Sequence, residues 1–534
     1  SATWLAVVAG LGLSLVLWFW KPAKSLRPLP PGPRPLPPGP RPLPLVGNIL
    51  DLPPKGEPDH LFWLKHREKY GIISSVTVMG GTIIILNDKE AAFELMEKRA
   101  IKNSSRPFME FCFGMCGYNR FATGMPYDET LRRHRKLIHQ YLGTPASVIG
   151  LRKVQETEIS RTLLRLLDTP ERLIEHIRTQ VGATVIELTY GYSMETSRPD
   201  PVLRLVSRWV DIFCATVIPG KWMVDSFPFM KHLPRWFPGA GFHDIAKRWR
   251  KEVFAAADVP YQFAKTQWKN DSHRPSFVSY SLDRAGDEID PEQESDINLS
   301  AANLYGAASD TTVSTLSFLY LALVKHPDVL RKAQKEIDDV VGLDRLPNFE
   351  DRKNLVYLES VLKEAYRWHP TAPLGVAHKS DADQTFRDYF IPKDSILLAN
   401  AWWFAHDPNT YHEPERFIPE RFLPPYNEPD PKEFAFGIGR RICPGKTFAD
   451  ANIFLTAAQT IAVFDVLKAV DEQGVPIEPV VEPITELVTH PVKFEFQIKP
   501  RSKKHEEMIR RIAQPCASNK SDVELLEQMG VLNR

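Results

Sequence analysis

One cysteine stands in a setting suited to metal chemistry. The segment 434–450, FAFGIGRRICPGKTFAD, places Cys443 after Gly437, Gly439, Arg440 and Arg441 and before Pro444 and Gly445. A thiolate is a metal ligand, and glycines, lacking a side chain, let backbone amides approach its sulfur. Phe436, Gly439, Arg441, Cys443 and Gly445 hold the spacing F-x-x-G-x-R-x-C-x-G. The competing reading is a buried structural cysteine in a glycine turn. A second candidate pair, Asp310 and Thr311, lies in GAASDTT (306–312) within an apolar run. A hydroxyl beside a carboxylate can pass protons from water to a reacting group. The alternative, the polar face of a surface helix, fits an apolar run poorly. Glu364 and Arg367, in KEAYR, are spaced i, i+3, where carboxylate and guanidinium meet on one helix face. Cys112 and Cys116 form C-x3-C without a nearby His or Cys pair to complete a zinc site, so they read as apolar side chains.

Positioning these groups requires a mainly helical frame. Residues 296–325 predict one long helix, apolar all round in its middle, as suits a helix through a domain centre. Residues 353–368 predict a second helix carrying Glu364 and Arg367, and 446–465 a third behind the cysteine loop. From about 127 to 340 the helical period dominates. Residues 82–87 and 91–100 predict a strand and a helix. Short strands are expected over 385–399, around IPKDS, and over 487–499. Mostly helix with a small separate β region is α+β by pattern.

The chain has 534 residues with 67 basic and 66 acidic side chains, a net charge of +1, which excludes a nucleic-acid footprint. Five cysteines are too few for a disulfide framework and fit a reduced compartment. Residues 1–20 are uncharged and largely apolar, and Lys21, Lys24 and Arg27 follow at once. This predicts a single transmembrane signal-anchor with the remainder on the cytoplasmic side. Residues 21–45 read as a basic, proline-rich hinge: ten of the seventeen residues 28–44 are proline. RPLPPGP occurs there twice in tandem, at 27–33 and 34–40. Polyproline rise makes one copy worth about 20 Å of stiff spacer. Residues 46–500 then form one catalytic domain. The charged tail, 501–534, is a candidate for helix and is expected to be mobile or peripheral.

The cysteine segment resembles the haem-thiolate loop of cytochrome P450, and other motifs follow in the order of that family. KEAYR resembles its E-x-x-R helix, and PERF (419–422) contributes Arg421. GAASDTT resembles its oxygen-activation motif, with Ala308 where the family commonly has glycine. YDETLRRHRKL (127–137) resembles its C-helix, with Asp128 and Leu131 where the family has glycine and tryptophan. Overall the chain is similar to fungal microsomal members, basidiomycete-like in its 219–240 segment.

The resemblance implies haem b with Cys443 as axial iron ligand, framed by Phe436, Gly437 and Gly439. It implies propionate contacts from Arg441, Arg135 and His378, and proton relay by Asp310 and Thr311. Glu364, Arg367 and Arg421 become a structural triad. Leu131 cannot give the hydrogen bond of an indole N–H, so haem retention is expected to loosen. The implied activity is a monooxygenase inserting one atom of O2 into a lipophilic or aromatic small molecule. It would sit in the endoplasmic reticulum membrane and take electrons from NADPH-cytochrome P450 reductase. Arg132, Arg133 and Lys136 are candidates for the docking face. An apolar pocket is expected from 108–124, 205–245, 300–311, 371–377 and 485–489. Glu486 is a candidate amine partner there. Trp222, Phe227, Phe229, Trp236 and Phe237 are candidates for bilayer contact, or else core. Two other readings remain: a degenerate haem-binding paralogue, and a reductase-independent isomerase or dehydratase.

Overall fold

The computed structural model describes residues 34–195, 198–218, 220–286, 288–484, 487–514 and 520–531. The predicted anchor, the first RPLPPGP copy and Glu486 lie outside these. The second copy does not hang free as hinge. Ser75 donates N–H and Oγ–H to the carbonyls of Pro38 and Pro37 (2.9 and 2.6 Å), and Phe390 N–H reaches Pro35 (2.8 Å). Gly39 is required here, since a Cβ would stand 1.9 Å from the Ser75 carbonyl oxygen. The packed body therefore begins about a dozen residues before 46. Proline chain, without N–H donors, still accepts at its carbonyls and lines a sheet edge well.

A helix α1 (Asp59–Tyr70) leads into the hairpin β1 (Ile73–Val78) and β2 (Gly81–Leu86), then α2 (Lys89–Phe93) with a π turn over Glu94–Lys98. Next come α3 (Glu129–Leu142), α4 (Arg152–Asp168), α5 (Leu173–Tyr190), α6 (Pro201–Thr216), α7 (Phe242–Lys269) and α8 (Phe277–Ala285). The long helix α9 spans Pro291–Lys325, followed by α10 (Pro327–Val341) and α11 (Val356–Trp368). Short strands β3 (His378–Lys379), β4 (Gln384–Phe386), β5 (Tyr389–Ile391) and β6 (Ile396–Ala399) precede α12 (Ala401–His406). After the cysteine loop come α13 (Lys446–Val463), β7 (Phe464–Lys468), β8 (Pro483–Ile484), β9 (His490–Pro491) and β10 (Phe496–Pro500). The main sheet has the order β1-β2-β6-β3, with β2 and β6 parallel and the other pairs antiparallel. β10 pairs with β7, β4 with β5 and β8 with β9.

The start of α9 is set by Asp290, whose carboxylate accepts from the Glu292 and Gln293 amides, and by Pro291 in the first turn. Its apolar circumference buries it among α3, α5, α11 and α13. α9 has the length and apolarity to cross a membrane, but most of that stretch is inside the core. Gly306 permits close packing there: a Cβ would meet the Trp209 ring at 2.5 Å.

The tail departs from its expectation. Residues Lys503–Ala513 form α14 and Val523–Gln528 form α15. His505, Met508 and Ile509, spaced i, i+3, i+4, are buried, and α14 packs on α4. Arg501 forks onto Asp338 at 2.9 and 2.5 Å. Asp522 bonds the Ser193 amide (2.7 Å) and pairs with Arg274. High charge density had concealed an amphipathic period.

Candidate active site

Two glycines bend the loop before Cys443. Gly437 and Gly439 both have positive φ, +82° and +63°, and a Cβ on Gly439 would lie 2.1 Å from the Met96 carbonyl oxygen. Only glycine fits such a backbone at such a distance. Cys443 N–H then bonds the Phe436 carbonyl at 2.8 Å, and α13 begins immediately after the loop. Phe436 packs against Tyr366 of α11, ring centres 5.3 Å apart. The Cys443 residue is accessible although protein surrounds its sulfur. Burial pushes its thiol pKa up, against the opposing pull of the Gly445 amide, Arg135 and Lys446.

Three guanidiniums gather beside this loop. Arg135, on α3, bonds the Ile442 carbonyl at 2.8 Å. Arg441 gives its donors to the carbonyls of Ser104 (2.5 Å), Ala122 (2.9 Å) and Met125. Arg106, absent from the sequence reading, bonds the carbonyls of Val376 (2.7 Å) and Ala377 (2.8 Å). Its Nε is buried without a partner. Burial, then the charges of Arg441 and Arg135, press the Arg106 pKa well below the usual guanidinium range. Burial and Arg135 press Arg441 to about 10. His378 Nδ1 meets the Asn103 carbonyl at 2.7 Å, and burial, then Arg106, lowers its pKa to about 3. His378 lies beside this cluster, and Arg106 adds a third cation to Arg135 and Arg441. Massed like charge with an unpartnered buried N–H is costly alone and suits a dianionic ligand. The residues present thus fit a haem: a thiol in a glycine loop, flanked by guanidiniums placed for carboxylates. Arg106 was legible in principle as an arginine in the segment SSRP, but nothing local marks it as facing the loop.

The departures at 128 and 131 have local reasons. Asp128 caps α3, accepting from the Leu131 amide at 2.9 Å. Leu131 is fully buried with Ala122 and Met125. Tryptophan there would overfill this pocket.

On α9, Ala307 and Thr311 are accessible between the buried stretches 299–306 and 312–324, and Ala308 packs partly against the core. Ala308's methyl is thus partly spent on packing. Thr311 Oγ–H donates to the Ala307 carbonyl at 3.1 Å, leaving its oxygen able to accept. Asp310 meets His490 Nε2 of β9 at 3.0 Å and Arg178 of α5 at 3.5 Å. Although burial would raise the Asp310 pKa, His490 and Arg178 bring it below the usual carboxylate value.

Behind the loop, Glu364 takes both nitrogens of Arg367's fork at 2.8 Å and Arg421 Nε at 3.1 Å, all three side chains buried. Arg367 also bonds the carbonyls of Ala405, Pro414 and Arg416.

The surface candidates sort differently. Arg132 and Lys136 are exposed on one face of α3. Arg133 is not available beside them, because it pairs with Asp296 (2.6 Å) and Glu292 of α9. Of the five aromatic bilayer candidates, Trp222 is packed inward: it stacks on Phe111 at 3.7 Å and bonds the Ala215 carbonyl. Trp236, Phe229 and Phe237 are exposed, Trp236 at 81%. Cys112 and Cys116 are buried among aromatics, as apolar residues would be. A charged cleft of about 440 Å³ between Arg120, Arg133 and Glu292 is lined by none of Cys443, Arg135, Arg441, His378, Asp310 or Thr311.

A mainly helical α+β body, with a glycine-bent cysteine loop opening α13 and guanidiniums gathered by it, suits a haem enzyme. The chain belongs to the cytochrome P450 family: the family model described as Cytochrome P450 matches residues 37–498. It is 45% identical over 511 residues to cytochrome P450 monooxygenase CLM2 of Gibberella zeae, covering 95% of each chain. It is 42% identical over 538 residues to multifunctional cytochrome P450 monooxygenase af510 of Aspergillus fumigatus (99% and 98% covered). It is 44% identical over 497 residues to cytochrome P450 monooxygenase claR of Ampulloclitocybe clavipes (92% and 90% covered). The chain is therefore a fungal-type P450 monooxygenase. Similar identities to these three sources do not single out a basidiomycete subgroup.

Proposed function

We propose that this enzyme inserts one atom of O2 into a lipophilic or aromatic small molecule, with Cys443 as the thiolate ligand of haem b. The observation that carries the reading is the Cys443 loop itself. Its thiol is held between a glycine-enforced turn and the Gly445 amide and feels the Arg135 charge, and Arg135, Arg441 and Arg106 form one cluster that donates hydrogen bonds to backbone carbonyls. Bound there, haem supplies the one-electron and O2 chemistry that side chains lack. Cys443 holds the iron; Phe436, Gly437 and Gly439 fix the loop; Arg106, Arg135 and Arg441 hold the propionates, with His378 beside them. Asp310, as a carboxylate, accepts protons from water, and Thr311, its neighbouring hydroxyl, hands them on where dioxygen is reduced.

The aromatic packing of 111–121 with 209–254 supports an apolar substrate. Electrons come from NADPH-cytochrome P450 reductase, docking at Arg132 and Lys136. Trp236, Phe229 and Phe237 rest on the endoplasmic reticulum membrane, to which residues 1–20 anchor the chain. The retained acid–alcohol pair favours this reading over an isomerase or dehydratase.

The test is a reduced carbon-monoxide difference spectrum of haem-supplied protein, with Cys443→Ser beside it. A strongly red-shifted Soret band in the wild type, lost in the variant, supports thiolate ligation. An unshifted band in the wild type overturns it. Incubation with reductase, NADPH and polycyclic aromatic probes, read by mass spectrometry for one added oxygen, tests the reaction.

A further inference from the structure

Asp310 belongs to the expected relay, yet what holds it comes from elsewhere in the chain. Its carboxylate meets His490 Nε2 at 3.0 Å, from a two-residue strand 180 positions away. β9 is itself fastened to α9. Ser314 Oγ–H donates to the Thr489 carbonyl at 2.5 Å, one turn beyond Asp310. Thr489 N–H donates to the Thr371 carbonyl at 2.9 Å, and Thr315 and Thr371 hydroxyls lie 3.1 Å apart. His490 is thus placed by its own backbone neighbour against the same helix face. His490 and Asp310 are each about one-fifth exposed, 19% and 21%, so the ring spans from the carboxylate toward water. The other charged partner of Asp310, Arg178, stands farther off at 3.5 Å, is more exposed, and holds its proton permanently. An imidazole can both donate and be refilled.

We infer that His490 is a positioning residue of the proton supply: it holds the Asp310 carboxylate in place on α9 and passes it protons from water. This rests on the monooxygenase reading above. In the step, imidazolium Nε2–H breaks and Asp310 Oδ2–H forms. The neutral ring regains its proton from water, so one proton moves and no electrons are exchanged.

The test compares His490→Phe, His490→Gln, Asp310→Asn and the His490→Phe/Asp310→Asn double variant. One readout is thermal unfolding, which needs neither reductase nor substrate. The other is NADPH consumption with reductase in oxygenated H2O and D2O. His490→Phe is expected to lower the unfolding midpoint, and to lower it less than half as much when Asp310→Asn is already present. It is expected to slow NADPH consumption about tenfold or more, with a larger solvent isotope effect. His490→Gln, which keeps an N–H donor, is expected to restore the midpoint and only part of the rate. Additive midpoints would show that His490 does not hold Asp310 and would overturn the inference. Coupled midpoints with an unchanged rate and isotope effect would also overturn it, leaving a structural ion pair. A wild-type protein inactive with reductase would instead fail the monooxygenase reading. The midpoints alone would then decide whether His490 holds Asp310.

Discussion

Arg106 illustrates how a single side chain can be costly to the bare fold and useful to the loaded one. Its Nε is buried without a partner, and its charged neighbours include Arg135 and Arg441. Removing the charge relieves repulsion while deleting a charge-assisted hydrogen-bond donor, worth about 1.5–3 kcal/mol when its partner is present. Arg106→Leu is therefore expected to leave the haem-free protein as stable as wild type or more so. The same variant should release haem about ten- to a hundredfold faster to an apomyoglobin acceptor. Equal release rates would remove Arg106 from the propionate site. Leu131→Trp is expected to lower the unfolding midpoint rather than improve haem retention, because the pocket of Ala122 and Met125 is already filled.

Between elements, the triad of Glu364, Arg367 and Arg421 ties α11 to the segment preceding the cysteine loop. Arg367→Met would leave Glu364 buried with one cation fewer and three carbonyls without their donor. Such uncompensated burial costs about 3–5 kcal/mol. The expected outcome is protein that fails to retain haem and unfolds at much lower denaturant. Beside the triad lies a ring layer: Trp402 stacks on His406 at 3.8 Å and approaches His60 and His369 at 4.8 and 5.5 Å. Burial lowers His60 to about 4 and His369 to about 3, with Arg367 contributing to the latter. Unfolded histidine binds its proton near 6.5, so between about 6.5 and 3 the unfolded chain holds more protons than the fold. The stability these rings contribute is complete above 6.5 and is lost as pH falls toward 4 and 3. Denaturation midpoints measured from pH 8 to pH 5 should fall, and His369→Phe, which can stack on Phe318 in its place, should flatten that fall.

At the scale of the molecule, the segments toward either end of the described residues are fastened to the body. Residues 34–47 lie along β1 and the β4–β5 hairpin, while α14 covers α4 and Asp522, just before α15, reaches the Ser193 amide and Arg274. Met508, Ile509, Val523 and Leu526 are buried in that contact. Each such side chain contributes about 1.5–3 kcal/mol when removed from water. Truncation after Arg501 is expected to lower the thermal midpoint clearly, and Ile509→Asp in the full chain should reproduce part of that loss. An unchanged midpoint would return the tail to the status of a loose appendage.

The sequence alone determined the features whose physics is local or carried by spacing. A glycine-cysteine loop, an apolar helix over 296–325 and an i, i+3 ion pair are each written in contiguous residues. The strand over 82–87 and the helices over 353–368 and 446–465 were likewise placed within a few residues. What depends on distant segments meeting was decided only by tertiary structure. Arg106, 337 positions from Cys443, joins its loop through the fold, and His490 reaches Asp310 across 180. Arg133 looked like a surface charge until α9 supplied Asp296. Composition made the tail look solvated, whereas burial follows the period of its few apolar residues. Local pattern fixes what a segment can become; which buried charge finds which partner is settled by the desolvation of the assembled interior.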